Sequence, residues 1–196
     1  SQGTEVYHPY YNLGNSEISN LTVSENGTKY TTLSTWNTSG TLSDKAYKCG
    51  INRLSNGVEL CWGISTYGSH TYTIKYNISN FVSELSDSQM IYWTLIPHNF
   101  SNSIGNAYIK IHTNFNIYFE TPVWGYGNYG GTAYVYDGYI EMQSDGNLAT
   151  NEYMTILVQF PLESFNCNNK LDYDFNHYLD SHHPNIPHGR TFPSLD

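Results

Sequence analysis

Hydrophobic and polar residues alternate along much of this chain with a repeat of two. Between Ser69 and Asn77, one set of positions carries His, Tyr, Ile and Tyr, and the positions between them carry Thr, Lys and Asn. Between Asn106 and Phe119, Ala and Ile alternate with Tyr, Lys and His. Successive side chains of a β-strand point to opposite faces, so each segment predicts a strand with one buried and one exposed face.

Two further segments, Met90–Ile96 and Met154–Phe160, are apolar almost throughout, and each is followed by a proline. A continuous apolar run is typical of a strand that is covered on both faces, which we expect for Met90–Ile96. Met154–Phe160 is predicted to be a final core strand. Helical periodicity is nearly absent, and residues 169–180 are the best candidate for a short helix.

Turn signals separate the predicted strands. Asp137-Gly138 lies between the strand patterns Thr132–Tyr136 and Tyr139–Gln143, and this dipeptide favours the two-residue turn of a hairpin. Roughly ten short strands joined by Gly, Asn and Asp turns predict an all-β fold, an antiparallel β-sandwich that is immunoglobulin-like in the loose sense. We expect one domain over residues 1–168, a short helix within 169–180, and an irregular His/Pro-rich tail over 181–196.

The chain has three cysteines, an odd number that cannot pair completely within one molecule. Cys49 and Cys61 flank a second hairpin signal, Asn56-Gly57, whose two-residue loop would pair Ser55 with Val58. In that register the two cysteines fall on opposite faces, whereas a bulge or a three-residue loop would bring them to one face. A Cys49–Cys61 disulfide and free buried thiols therefore both stay open.

Composition narrows the class of protein. Charged residues make up 13% of the chain and aromatic residues 16%, which excludes a disordered chain. The formal net charge is −9 with only 8 Lys and Arg residues, so a nucleic-acid phosphate backbone is excluded as a partner. Polarity comes instead from Asn, Ser, Thr and Tyr, which is typical of a β-rich extracellular or cell-surface domain.

The most unusual segment is Trp124–Tyr136, in which Gly and Tyr recur. Aromatic rings on a Gly-rich loop can form a platform that stacks on sugar rings, and the candidate residues are Trp124, Tyr126 and Tyr129. The alternative is a strand that is bent by its glycines and whose tyrosines cover one face of a sheet. Exposure of the three rings distinguishes the two interpretations.

Carboxylates are scattered, and no motif selects a catalytic pair. A glycosidase needs two carboxylates about 5–10 Å apart across a cleft. Four glutamates could supply them: Glu120, Glu141, Glu152 and Glu163. The sequence contains no HExxH zinc motif and no nucleophile elbow. We therefore predict no catalytic residue, no cofactor and no enzyme activity.

A group of metal-ligating side chains lies around the start of the tail. His182, His183 and His188, together with His177 and Asp180, have the chemistry that binds Zn²⁺ or Ni²⁺. A flexible His-rich tail without a metal is the alternative interpretation.

Strand and turn segments spread over residues 3–170 carry a family resemblance. The segments are Gly3–Glu5 with Asn12–Ile18, Gly57–Ile64, Gly68–Tyr76, Asp87–Trp93 and Glu152–Pro161. In this order they resemble the extracellular domain of a bacterial family of predicted membrane proteins of unknown function. The resemblance implies an exported β-sandwich that is tethered to a membrane, and it carries no catalytic residue.

The sequence thus predicts a non-catalytic extracellular domain of a membrane-tethered bacterial surface protein at the cell envelope. Its expected role is structural or interactive, with a protein or a glycan as partner. One alternative is a carbohydrate-binding module that uses Trp124, Tyr126 and Tyr129. The other is a glycan-active hydrolase, which would need a cleft with paired carboxylates and a raised pKa.

Overall fold

The computed structural model describes residues 3–98, 100 and 102–181. The chain forms two compact units, an N-terminal unit that ends at Ser79 and a C-terminal unit that begins at Asn80. Strands dominate the regular structure of both units, which confirms the predicted all-β sandwich class. The single-domain boundary over residues 1–168 stays a prediction, and residues 182–196 of the tail lie outside the described residues.

The described residues of the N-terminal unit form a four-stranded and a three-stranded sheet. In chain order, the elements are β1 (Glu5–Tyr11), β2 (Ile18–Glu25), β3 (Thr28–Lys29), β4 (Thr31–Leu33), α1 (Leu42–Lys45), β5 (Lys48–Leu54), β6 (Gly57–Gly63) and β7 (Tyr72–Ile78). The larger sheet has the order β1-β6-β5-β4 and the smaller one the order β3-β2-β7. The strand pairings are antiparallel except that β4 and β5 are parallel.

Aromatic side chains join the two sheets of the N-terminal unit. The ring centroid of Trp62 on β6 lies 5.8 Å from that of Tyr72 on β7. Tyr10 on β1 and Tyr76 on β7 are in ring contact at 5.9 Å, and their hydroxyls are hydrogen-bonded. Tyr72, Ile74 and Tyr76 are partly buried and the residues between them are exposed, which confirms the predicted alternation of this segment.

The hairpin predicted at Asn56-Gly57 forms, but its register is shifted by one residue. Leu54 pairs with Gly57, so the loop consists of Ser55 and Asn56. Gly57 belongs to β6, where a Cβ atom would lie only 2.0 Å from the carbonyl oxygen of Tyr10 on the neighbouring strand. The glycine is therefore required by the close approach of β1 and not by the turn.

The Cys49–Cys61 disulfide is not formed, and both thiols are free and buried. Cys49 pairs with Trp62 across β5 and β6, so the adjacent Cys61 points to the opposite face of the sheet. Burial raises the pKa of the Cys61 thiol to about 12, which makes it unreactive at neutral pH. Cys167 is also free.

The described residues of the C-terminal unit likewise form a four-stranded and a three-stranded sheet. Its elements are β8 (Val82–Glu84), β9 (Gln89–Ile96), β10 (Tyr108–Ile111), β11 (Val123–Tyr126), β12 (Thr132–Tyr136), β13 (Tyr139–Gln143), β14 (Met154–Phe160) and α2 (Phe175–Asp180). The strand orders are β11-β14-β9-β8 and β10-β13-β12. The helix α2 falls within the segment that the sequence marked as its best helical candidate.

The core of the C-terminal unit lies between its two sheets. Ile156 on β14 packs in one cluster with Ile140 and Met142 on β13, and all three are fully buried. The opposite face of the four-stranded sheet is also covered, because Leu157 packs in a second cluster with Phe175 of α2. Strand β9 contributes to both clusters, which confirms that this apolar run is buried on both faces.

Candidate functional site

The predicted Asp137-Gly138 hairpin positions one face of the three-stranded sheet. Asp137 and Gly138 have φ angles of 46° and 80°, the left-handed values that a tight hairpin turn requires. Tyr136 therefore pairs with Tyr139, and the two strands have the predicted bounds. Strand β10 pairs with the other edge of β13, which places residues from three strands side by side.

Alternation gives this sheet two unlike faces. The inner face carries Ala133, Ile140 and Met142, all of them buried in the core. The outer face is formed by the positions between them, which are Tyr108, Lys110, Thr132, Tyr134, Tyr136, Tyr139, Glu141 and Gln143. We call this outer surface the tyrosine face. Its cross-strand rows are Tyr108 with Gln143 and Thr132, Lys110 with Glu141 and Tyr134, and Tyr139 with Tyr136.

The Glu141 carboxylate lies at the centre of the tyrosine face and accepts three phenolic hydrogen bonds. The hydroxyls of Tyr108 and Tyr139 donate to its Oε1 atom, the second at 2.9 Å. The hydroxyl of Tyr134 donates to Oε2 at 2.9 Å. Because hydroxyls from three adjacent strands converge on one carboxylate, their rings lie across the sheet and are held in place.

Charges on the tyrosine face compensate each other. Hydrogen bonds from the phenols, of which that of Tyr108 has the largest effect, hold the pKa of Glu141 below its usual 4.5. The carboxylate is therefore ionised at neutral pH. The Lys110 ammonium lies 3.9 Å from this carboxylate and 4.7 Å from the centroid of the Tyr139 ring. A cation above an aromatic ring is attracted by the electrons of the ring face. The surface is therefore polar at its centre but carries no net charge.

The aromatic rings of the tyrosine face are exposed yet packed against one another. Tyr108 is 49% exposed and Tyr136 is 56% exposed. The Tyr136 ring meets Tyr134 at 6.5 Å and Tyr139 at 5.9 Å, both edge to face. Edge-to-face packing is a favoured arrangement of aromatic pairs. The face thus presents ring surface to solvent with little freedom to rearrange.

Replacing Glu141 with glutamine is expected to lower the pKa values of the tyrosines that donate to it. A carboxylate acceptor stabilises the protonated phenol, and the pKa values of Tyr108 and Tyr134 are raised chiefly by this hydrogen bond. An NMR titration of isotope-labelled tyrosine measures the change, with exposed Tyr67 as the control. Unchanged midpoints for Tyr108 and Tyr134 would contradict the role of Glu141 as their acceptor.

Sequence reasoning missed this site, although its signal was present. The alternation around Tyr108 and Lys110 predicted an exposed face, and the hairpin register brings Tyr134 opposite Glu141. Neither pattern indicates that the two segments share a sheet. The pairing of β10 with β13 joins positions about thirty residues apart, which period-two alternation cannot detect.

The predicted sugar platform at Trp124, Tyr126 and Tyr129 is not exposed. Tyr126 and Tyr129 are each 8% exposed, and burial raises both pKa values to about 12. The partly buried ring of Trp124 lies 5.3 Å from that of Phe175 on α2. A Cβ atom at Gly125 would lie 1.9 Å from the Tyr129 hydroxyl oxygen. These three rings are therefore not available as a sugar platform, and the missing Cβ atom of Gly125 lets the Tyr129 ring pack against the strand.

Replacing Gly127 with alanine is expected to lower the free energy of unfolding of the C-terminal unit by about 1–3 kcal/mol more than Gly146→Ala. A Cβ atom at Gly127 would lie 1.8 Å from the carbonyl oxygen of Tyr153, so the backbone must shift. Gly146 is the control without a packing conflict, because a Cβ atom there would have no neighbour within 4 Å, although its φ of 76° is easier for alanine to adopt than the 125° of Gly127. Both losses are measured by urea unfolding, with hydrogen exchange of the β14 amides reporting on the C-terminal unit. Equal losses for the two variants would contradict the packing argument.

The described residues contain no group of three or more His, Cys, Asp or Glu side chains that could hold a metal ion. The candidate ligands His182, His183 and His188 lie outside the described residues. His177 belongs to α2, where its ring stacks on that of Tyr173 at 3.7 Å. Metal binding by the tail stays a prediction.

The fold and the tyrosine face together define an all-β sandwich protein with an ordered aromatic surface. Residues 4–160 match the N-terminal domain of DUF2207, which is described as a predicted membrane protein family, and the chain belongs to this family. This match confirms the resemblance found in the sequence and indicates a membrane-associated protein of unknown function. Comparison with curated proteins and with solved structures gives no significant match. Among the described residues, no helix is long and apolar enough to cross a membrane.

Proposed function

We propose that this chain is the extracellular interaction domain of a membrane-tethered bacterial protein, and that the tyrosine face is its recognition surface. The observation that carries the proposal is the exposed, ordered aromatic surface around Glu141. Tyrosine is enriched in recognition surfaces because it offers a large, rigid contact area at low entropic cost.

The composition of the chain and the burial of its thiols support an extracellular location. Only 13% of the residues are charged, and Asn, Ser, Thr and Tyr supply most of the polarity. Cys49 and Cys61 are completely buried, so extracellular oxidants would not reach them, and the partly buried Cys167 thiol donates to the carbonyl oxygen of Val82. Membership of a predicted membrane protein family supports the tether.

Protease treatment of intact cells tests the location. In cells that express the full-length protein, added protease is expected to cleave this domain while a cytoplasmic reporter stays intact. Cleavage that occurs only after the cells are lysed would overturn the extracellular location.

Binding to cell envelopes tests the recognition surface. We expect the purified chain to bind envelopes of the organism that encodes it, and the double variant Tyr108→Ser/Tyr136→Ser to bind at least about tenfold more weakly. Tyr67→Ser is the matched control, because Tyr67 is as exposed as Tyr108, at 49%, but lies in the N-terminal unit. Equal binding by the wild type and the double variant would overturn the assignment of this face.

The domain acts without catalysis in this proposal. Glu141 is the carboxylate of the tyrosine face, and its lowered pKa does not suit a general acid, which must be protonated at neutral pH. Glycan hydrolysis by the wild type that disappears in Glu141→Gln would contradict the non-catalytic role.

A further inference from the structure

The size of the tyrosine face limits the partners that it can bind. Three strands spaced about 4.8 Å apart and four or five residues long give a footprint of roughly 14 Å by 15 Å, which holds the eight outward-facing residues. A stable protein partner typically contacts about 20–30 residues on each side. The face is therefore too small for a protein partner by itself, and its dimensions suit a short oligomeric ligand.

The positions of the two most exposed rings indicate an elongated ligand. Tyr108 lies on β10 in the first cross-strand row, and Tyr136 lies on β12 in the last. Two strand spacings across and four residues along place their backbones about 16 Å apart, at opposite corners of the face. A ligand that contacts both rings must extend across the face instead of filling a pocket.

Charge and hydrogen-bonding groups indicate that the ligand is neutral and polar. Lys110 and Glu141 compensate each other, so the face has no charge left to attract an ionic ligand. The whole chain has a net charge of −9, which repels anionic polymers. Exposed Thr132 and Gln143 add a hydroxyl and an amide at one end, which can donate to or accept from ligand hydroxyls.

We propose that the tyrosine face binds a short, neutral, linear glycan that stacks on Tyr108 and Tyr136 and hydrogen-bonds to Thr132 and Gln143. The C–H groups of a sugar face carry slight positive charge and are attracted by the negative face of an aromatic ring. Because Glu141 accepts from Tyr108, and Tyr136 packs edge to face against two further rings, little side-chain entropy is lost on binding. This proposal rests on the recognition role proposed above for the same face.

Calorimetric titration of the purified chain with cellotetraose and with chitotetraose tests the glycan. We expect at least one of them to bind, Tyr108→Ser and Tyr136→Ser each to weaken it about tenfold or more, and Tyr67→Ser to leave it unchanged. Tyr108→Phe keeps the ring and loses only the hydroxyl, so it is expected to bind within a few-fold of the wild type. Thermal unfolding of each variant confirms that it is folded.

The outcomes separate this proposal from the recognition role. In one outcome, neither oligosaccharide binds, and protease treatment of the envelopes abolishes the tyrosine-dependent binding of the chain to them. The partner is then a protein, so the glycan proposal is overturned while the recognition role stands. Salt-sensitive binding to polygalacturonate alone would also overturn it, because that polymer is anionic. If envelopes bind the double variant as well as the wild type, both proposals fail.

Discussion

Replacing Glu5 with alanine is expected to lower the free energy of unfolding of the N-terminal unit by about 3 kcal/mol, the lower end of the range for breaking a buried ion pair, because the Glu5 side chain is 20% exposed. The Lys45 side chain is only 4% exposed, and its Nζ atom lies 2.7 Å from the Glu5 carboxylate. Without that carboxylate, a buried ammonium is left without its counter-charge. The loss is measured by urea unfolding of the whole chain, with hydrogen exchange of the β1 and β6 amides reporting on the N-terminal unit.

Further contacts fix both members of this ion pair. The Lys45 ammonium also donates to the carbonyl oxygen of Thr38 at 2.7 Å and to the hydroxyl of Thr4 at 3.0 Å. The Trp36 indole N–H donates to the same Glu5 oxygen at 2.8 Å. These bonds satisfy the buried charges, and they explain how a lysine can be buried at the end of the short helix α1.

Two comparisons make the Glu5 prediction specific. Glu5→Leu combined with Lys45→Met removes both charges, and it is expected to recover much of the stability that Glu5→Ala loses. Glu17→Ala breaks an exposed ion pair with Arg53, whose members are more than two-thirds exposed, and is expected to cost less than about 1 kcal/mol. A loss for Glu5→Ala no larger than that for Glu17→Ala would contradict the argument.

The stability of the N-terminal unit is expected to fall as the pH rises from about 6.5 through the higher pKa of His70 in the folded unit, where the imidazolium loses its proton. The ring Nδ1 atom contacts Glu25 Oε1 at 2.5 Å, and Nε2 contacts the carbonyl oxygen of Thr66 at 2.7 Å. Both oxygens are acceptors, so both ring nitrogens must donate, which only the imidazolium can do. His70 and Thr66 both lie in the loop between β6 and β7, so this imidazolium ties the loop to the end of β2.

The pH window follows from the two pKa shifts. The hydrogen bond to Glu25 raises the pKa of His70, so its contribution is complete below the ordinary value of 6.5 and is lost as the pH rises through the folded value. The hydrogen bond to His70 lowers the pKa of Glu25, so its contribution is complete above 4.5 and is lost as the pH falls through the folded value. The pair therefore stabilises the unit most between about pH 4.5 and 6.5.

His70→Gln and Glu25→Ala test this pair. In His70→Gln, the loss of stability between about pH 6 and pH 8 is expected to shrink, whereas His112→Gln, at an exposed histidine of the other unit, is expected to behave as the wild type. Glu25→Ala also leaves the hydroxyl of buried Tyr30 without its acceptor, which alone costs about 1–3 kcal/mol. Hydrogen exchange of residues 64–71 across this pH range measures the effect, and an identical pH profile in His70→Gln and the wild type would contradict it.

Local patterns in the sequence predicted the strands that carry the tyrosine face, but not the face itself. Around β10, Ala107 is buried and Ile109 faces the core, while Tyr108 and Lys110 are exposed, as the alternation predicted, but the strand ends at Ile111 and does not continue to Phe119. The Asp137-Gly138 signal predicted the bounds of β12 and β13 correctly. Both signals are short-range, because a strand turns its side chains by a fixed half-turn per residue and a tight hairpin sets its own register.

Other features depend on contacts that a local pattern does not contain. The Asn56-Gly57 turn lies one residue earlier than predicted, and Gly57 instead belongs to β6, where it passes close to Tyr10 of another strand. Tyr126 and Tyr129 resemble the tyrosines of the recognition face in sequence, yet they are buried by packing within the core of the unit. Composition and spacing cannot separate these cases, because exposure depends on what lies opposite each ring.

The sequence by itself determined the all-β class, the direction of side chains along the main strands, and one hairpin. These properties follow from the period-two geometry of a single strand and from the backbone preferences of turn residues. Only the tertiary structure decided which tyrosines share a surface, that Glu141 accepts from three of them, and that Tyr126 and Tyr129 of the Gly/Tyr segment are buried. Those relations join residues that are distant in the chain, and they arise when strands pair and sheets pack.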